Sequence, residues 1–193
     1  EYLSQFQDIE SLAIQASKIE DWWEIYSKLV KWQIDFDTQK EESLLQILKD
    51  QFSSVNKMFS QYIIKNYSEW ITKTDRPTLS CDIFTKKIMP LLTDNKKTCL
   101  LVMDAMRFDQ FLELTPMLPE DYSIKMEPSL SLIPSATPYS RNAIFSGLFA
   151  DEMCELYPNQ KREMIEDMGG LNNFEKEFLS DQMKKNGFSN KKM

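Results

Sequence analysis

The sequence predicts an α/β domain preceded by a three-helix bundle, and three observations carry that expectation. Residues 1 to about 74 contain neither proline nor glycine and repeat apolar residues at three- and four-residue steps. From Asp75-Arg76-Pro77 onward, short apolar runs alternate with helical stretches, the pattern of a mostly parallel sheet covered by helices. Within that second region the apolar run Thr98-Cys99-Leu100-Leu101-Val102-Met103 stops abruptly at Asp104, and a Pro-Ser-Ala-Thr-Pro segment, residues 134–138, opens a later helix.

In the first region a helix from about Tyr2 to Ser17 carries Phe6, Ile9, Leu12, Ala13 and Ala16 on one side. A second carries Ile19, Trp22, Trp23, Tyr26, Leu29, Val30 and Trp32. Asp35, Asp37 and Thr38 mark the expected turn into a long third helix, whose stripe runs from Leu44, Leu45 and Leu48 through Phe52, Val55 and Phe59 to Tyr62, Ile63 and Trp70. Three helices with short connections form an antiparallel bundle. The aromatic stripe reads either as core or as a partner-binding face, and exposure separates the two: Trp22, Trp23 and Trp32 cannot all point inward from one helix.

In the second region a short helix is expected over Asp82 to Leu92, then a buried strand to Met103 and a helix carrying Phe108, Phe111, Leu112 and Leu114. Asp121 to Ile133 reads as extended, with Tyr122, Ile124 and Met126 alternating on one face. A helix follows from about Pro138 and closes at Gly147, a C-cap glycine. Asp151 to Lys185 reads as polar helix interrupted at Gly169-Gly170, with no further strand, so the sheet looks unfinished.

Composition narrows the function classes. The chain of 193 residues is 42% hydrophobic and 12% aromatic, enough for a real core, and its 4 glycines argue against a turn-rich sandwich or barrel. A net charge of -7 without an aromatic-interleaved basic patch argues against long nucleic acid as partner; Lys184, Lys185, Lys191 and Lys192 read as a solvated end. Cys81, Cys99 and Cys154 form no CxxC pair and suit a reducing compartment, with Cys99 read as a small core residue of the strand. The first residues do not resemble a secretory leader and no apolar run reaches membrane-spanning length, so the expected location is cytoplasmic. The chain contains no histidine.

The chemistry-bearing residues sit where sheet and helix meet. Asp104 ends a strand, where α/β folds gather their sites; it reads either as a metal ligand or as an N-cap for the helix near Arg107. Thr137, before Pro138, reads as the cap of a helix whose positive end would favour a phosphoryl group or an alkoxide, so it is an ordinary cap or a nucleophile. Arg141 lies one turn further along the same side, as a surface ion-pair partner or as a bidentate grip on a phosphate. Asp109 and Asp151 are secondary carboxylates that either join such a site or merely solvate a helix.

At Val102-Met103-Asp104-Ala105-Met106-Arg107 and at Ile133 through Gly147, with its Thr-Pro-Tyr-Ser-Arg-Asn core, the chain resembles the PglZ domain of the alkaline phosphatase superfamily. The resemblance covers about residues 78–193. A helical bundle over 1–74 directly before it is similar to PorX-type response regulators, which begin with a receiver domain missing here. The resemblance implies an alkaline-phosphatase-like α/β domain in which Asp104 is a zinc ligand and Thr137 the nucleophile bridging two zinc ions. It further implies phosphodiester or phosphomonoester hydrolysis through a phosphothreonine, with a nucleotide or a short oligonucleotide as substrate, in the output of a two-component signalling protein. The bundle would then link, dimerise or dock.

The family completes its metal site with aspartates and histidines of the second half of the domain, and this chain offers no histidine and ends before that half. The expectation is therefore a fragment with little or no activity by itself. The competing reading is a non-catalytic scaffold that works through its bundle, for example in a phage-defence assembly.

Overall fold

The computed structural model describes residues 2–39, 42–94, 97–160 and 173–188. The expected break at Gly169-Gly170, the Phe6 side chain, Lys191 and Lys192 lie outside the described residues. The chain divides into two compact units, one of Glu1–Arg76 with Ala105–Pro128 and one of Pro77–Asp104 with Ser129–Met193.

The first unit is built on α1 (Tyr2–Gln15), α2 (Ile19–Gln39) and α3 (Glu42–Trp70). Asp21, in the first turn of α2, separates the first two: its Oδ2 accepts the backbone N–H groups of Ser17 and Lys18 at 2.9 and 3.1 Å. Those two bonds hold its carboxyl below the usual aspartate range, as a carboxylate capping unpaired helix donors should be. The stripe on α3 is buried or half-buried throughout, with Leu48, Val55 and Trp70 at its centre. From α1 come Ile9 and Ala13, and from α2 Trp22, Leu29 and Val30. Trp22 packs on Phe59 and Tyr62 with ring centroids 5.4 and 5.6 Å apart. Arg76 closes α3 by donating to the Trp70 carbonyl at 2.9 Å.

Two expectations for α2 are corrected. Asp35, Asp37 and Thr38 do not turn the chain; α2 continues to Gln39, and the Thr38 hydroxyl donates back to the Ile34 carbonyl at 2.8 Å, satisfied within the helix. Ile25 and Phe36 are fully buried, although the apolar stripe did not single them out. None of Trp22, Trp23 and Trp32 is exposed: the first is buried and the others are half-buried. Trp23 is covered by Phe108 of α5 (Phe108–Leu114), ring centroids 4.7 Å apart, so the outer aromatic edge of α2 finds its partner within the unit.

The second unit differs from the expected α/β layout. Among the described residues its β pairing is one parallel bridge, Leu79 to Leu130, supported by the Leu130 N–H donating to the Thr78 carbonyl at 2.8 Å. The run Thr98–Met103 forms no strand among the described residues; Leu101 is 79% and Met103 64% exposed. Cys99 is exposed rather than a core residue, and it is Cys81 that is buried. An apolar run becomes a buried strand only when a neighbour takes up its ladder. Of the expected extended run Asp121–Ile133, Leu130 alone makes the bridge to Leu79 among the described residues, and Tyr122, Ile124 and Met126, which belong to the first unit, are exposed.

What the second unit does contain is helical. A 3₁₀ turn at Ser80–Asp82 and a π turn at Phe84–Ile88 lead into Met89–Thr93, α4, together occupying the expected short helix. Then come α6 (Thr137–Ser146), α7 (Ala150–Leu156) and α8 (Glu175–Lys185). Leu79, Cys81, Leu132, Ala143, Leu148 and Met153 form its core around α6. Phe178, fully buried on α8, meets Tyr157 edge-on at 4.8 Å. Full burial of such a side chain stabilises by about 1.5–3 kcal/mol. Among the described residues no helix is long and apolar enough to cross a membrane.

Candidate functional site

Helix α6 is the element on which the site is built, and a buried hydroxyl network sets its position. The Ser80 and Ser140 hydroxyls share a hydrogen bond of 2.8 Å, and Ser80 Oγ also accepts the Leu132 N–H at 3.2 Å. One serine thus ties the 3₁₀ turn, the bridge segment and α6 together. At the other end the chain leaves α6 through Gly147, at φ 69°, the left-handed conformation that glycine adopts without strain.

The N-cap of α6 is Ala136, and Thr137 is the first helical residue rather than the expected cap. The Tyr139 and Ser140 N–H groups both return to the Ala136 carbonyl, at 3.0 and 2.9 Å. Thr137 therefore keeps its hydroxyl for contacts outside its own helix. Asp104 is not an N-cap either: the helix that follows it is capped by Arg107, whose N–H donates to Gln110 Oε1 at 3.0 Å. Asp104 stands in a turn with Ala105, which takes φ 59°, an uncommon backbone conformation for a residue with a Cβ.

Three residues singled out by sequence converge. Asp104 Oδ2 accepts the Thr137 hydroxyl at 3.4 Å and Arg141 Nη1 at 3.2 Å. The i, i+4 spacing along α6 is what lets one carboxylate oxygen reach both side chains. A fourth residue joins them: Arg141 Nε donates to Glu175 Oε1 at 2.6 Å, with about one-fifth of each of these two side chains exposed. The bond to Glu175 first, and that to Asp104 after it, outweigh burial and hold the guanidinium above its ordinary pKa. Short, partly buried and charge-assisted, the pair to Glu175 is stronger than a surface ion pair.

Glu175 had no local signal in the sequence. It lies 34 residues from Arg141 and reaches it because α8 runs alongside α6 in the same direction. Phe178 and Gln182 continue the same face of α8; Gln182 is buried, and in the amide orientation that satisfies both groups it donates to the Phe145 carbonyl at 2.9 Å and accepts the Gly147 N–H at 3.1 Å. Ser80 and Ser140 were likewise unmarked by any motif.

The secondary carboxylates are placed otherwise. Asp109 belongs to the first unit, where Arg107 grips it with Nε at 3.0 Å and Nη2 at 2.6 Å and lowers its pKa. Asp151 is exposed in the first turn of α7, where a carboxylate suits the positive end of the helix. Zinc takes about four good ligands. Asp104 and Thr137 provide two ligand side chains, and Asp104 Oδ2 already carries a cation in Arg141. Among the described residues there is no group of three cysteine, aspartate or glutamate side chains able to hold a metal. These residues do not by themselves fit a zinc site.

Family models give the class of each region: a response-regulator linker, followed in sequence by an alkaline phosphatase-like domain. Residues 1–71 match the PorX response regulator linker domain, and residues 83–187 match the BREX system PglZ alkaline phosphatase-like domain. The chain belongs to the PglZ family of alkaline phosphatase-like domains. No curated protein matches it.

Proposed function

We propose that this chain is the phosphoryl-binding part of a response-regulator output protein, acting on the phosphate of a nucleotide or short oligonucleotide. The observation that carries the proposal is the sharing of Asp104 Oδ2 between the Thr137 hydroxyl and Arg141. Phosphoryl transfer asks for positioning and charge stabilisation more than for covalent work by the protein. Arg141 supplies a planar cation with donors to spare, and the start of α6 adds its positive end. Thr137 is the nucleophile of the proposal, oriented by its bond to Asp104.

An alcohol is a weak nucleophile at neutral pH until a metal or a base takes up its proton. Two zinc ions remain part of the proposal as the group that would activate Thr137. Asp104 and Thr137 would hold them only together with donors from outside this cluster. By itself the chain is proposed to bind phosphoryl groups and to turn over little.

The test compares binding of a nucleoside monophosphate with that of the same nucleoside by calorimetry. The proposal expects a preference for the phosphorylated ligand that Arg141→Ala abolishes. Equal binding of both ligands would refute it.

A further inference from the structure

We propose that Glu175 is the positioning residue of this site: it fixes the guanidinium of Arg141 so that a donor stays available to a phosphoryl oxygen. The inference rests on the phosphoryl-binding reading and goes beyond it by assigning α8 a part in the site.

A guanidinium has five N–H donors arranged in a plane. Glu175 takes Nε on its side edge at 2.6 Å, and Asp104 takes Nη1 at 3.2 Å. The two carboxylates approach different edges and therefore fix the plane, leaving Nη2 and the second Nη1 hydrogen as donors. Without Glu175, only Asp104 would hold the group, and the arginine could turn two donors onto that one carboxylate, the geometry such pairs favour. The donors for a phosphate would then be consumed by the carboxylate beside Thr137. Glu175 can act as a fixed point because α8 is itself pinned. Phe178, three residues on, is fully buried, and Gln182, seven residues on, is bonded to the end of α6.

The experiment has two readouts on the full 193-residue chain. The first is the Nε–H resonance of Arg141 in nitrogen-15 NMR spectra, assigned by its loss in Arg141→Lys. The second is affinity for inorganic phosphate. Glu175→Ala is expected to shift or broaden the resonance and to weaken phosphate binding about tenfold. Glu175→Gln, which keeps an acceptor but not the charge, is expected to retain the resonance at a changed position and to lose about threefold in affinity. It carries the test should the alanine variant not fold. A resonance unchanged in both variants overturns the proposal, as does wild-type phosphate affinity in a variant whose resonance has moved. A wild-type chain that binds no phosphate while the resonance responds to Glu175 overturns the functional reading as well, leaving the arginine–glutamate pair as architecture only.

Discussion

A Cβ placed on Gly147 would fall 2.1 Å from the terminal amide of Gln182, so the end of α6 and the middle of α8 meet at a point that only glycine fits. Gly147→Ala combines a left-handed backbone, worth about 1–2 kcal/mol, with overpacking against a buried amide, worth about 1–3 kcal/mol. Thermal unfolding should show a loss in that combined range. Gln182→Ala in the same chain should recover the overpacking part and leave the backbone part. Strictly additive losses would show that the two residues do not compete for the same space.

Ala105, beside Asp104, holds φ 59° with a Cβ in place. Ala105→Gly is expected to leave stability unchanged or raise it by up to about 1 kcal/mol, since relief of the left-handed strain opposes the added chain entropy. Ala105→Val should lower stability by more than 1 kcal/mol or so, because a branched Cβ is least tolerated there. Denaturant unfolding of both variants checks the order. A valine variant as stable as the glycine one would mean that this turn is not held in the left-handed region.

Tyr157 donates to Asp181 Oδ2 at 3.2 Å, and burial first, then the charge of Asp181, pushes its phenol up to about 12. The folded pKa lies above the unfolded value near 10, so this group's contribution is fully present below about pH 10 and is lost as pH rises toward 12. The stability difference between wild type and Tyr157→Phe should therefore be constant through neutral pH and shrink between about pH 10 and 12. Parallel stability curves across that window would contradict the assignment.

The helical half of the fold was legible because its stripes are local: Leu48, Val55 and Trp70 announce their face by spacing alone. The face of α2 was harder to place. Trp23 and Tyr26 are as apolar in sequence as Ile25 and Phe36, but they lie to one side, against Phe108, and the aliphatic and aromatic residues together cover too much of the helix to single out one edge. Among the described residues the expected sheet does not form, and the reason is non-local. Thr98–Met103 is apolar enough for a buried strand, yet pairing depends on a neighbour that no residue within the run encodes.

The cluster divides the same way. Thr137 and Arg141 were visible through their spacing on one helix, and Asp104 through the abrupt end of an apolar run. That these three meet follows from packing, as does the presence of Glu175, which stands in a polar helix with nothing to distinguish it from Glu177. The N-cap readings of Asp104 and Thr137 were set aside by positions that shifted only slightly, since Arg107 and Ala136 hold those places instead.

The most direct test of the central claim is a calorimetric titration of the chain with inorganic phosphate, in wild type and in Arg141→Ala. Binding in the wild type, weakened about tenfold or more by the substitution, is what a phosphoryl site on Asp104, Thr137 and Arg141 requires. Phosphate bound equally well by both chains, or by neither, would contradict it.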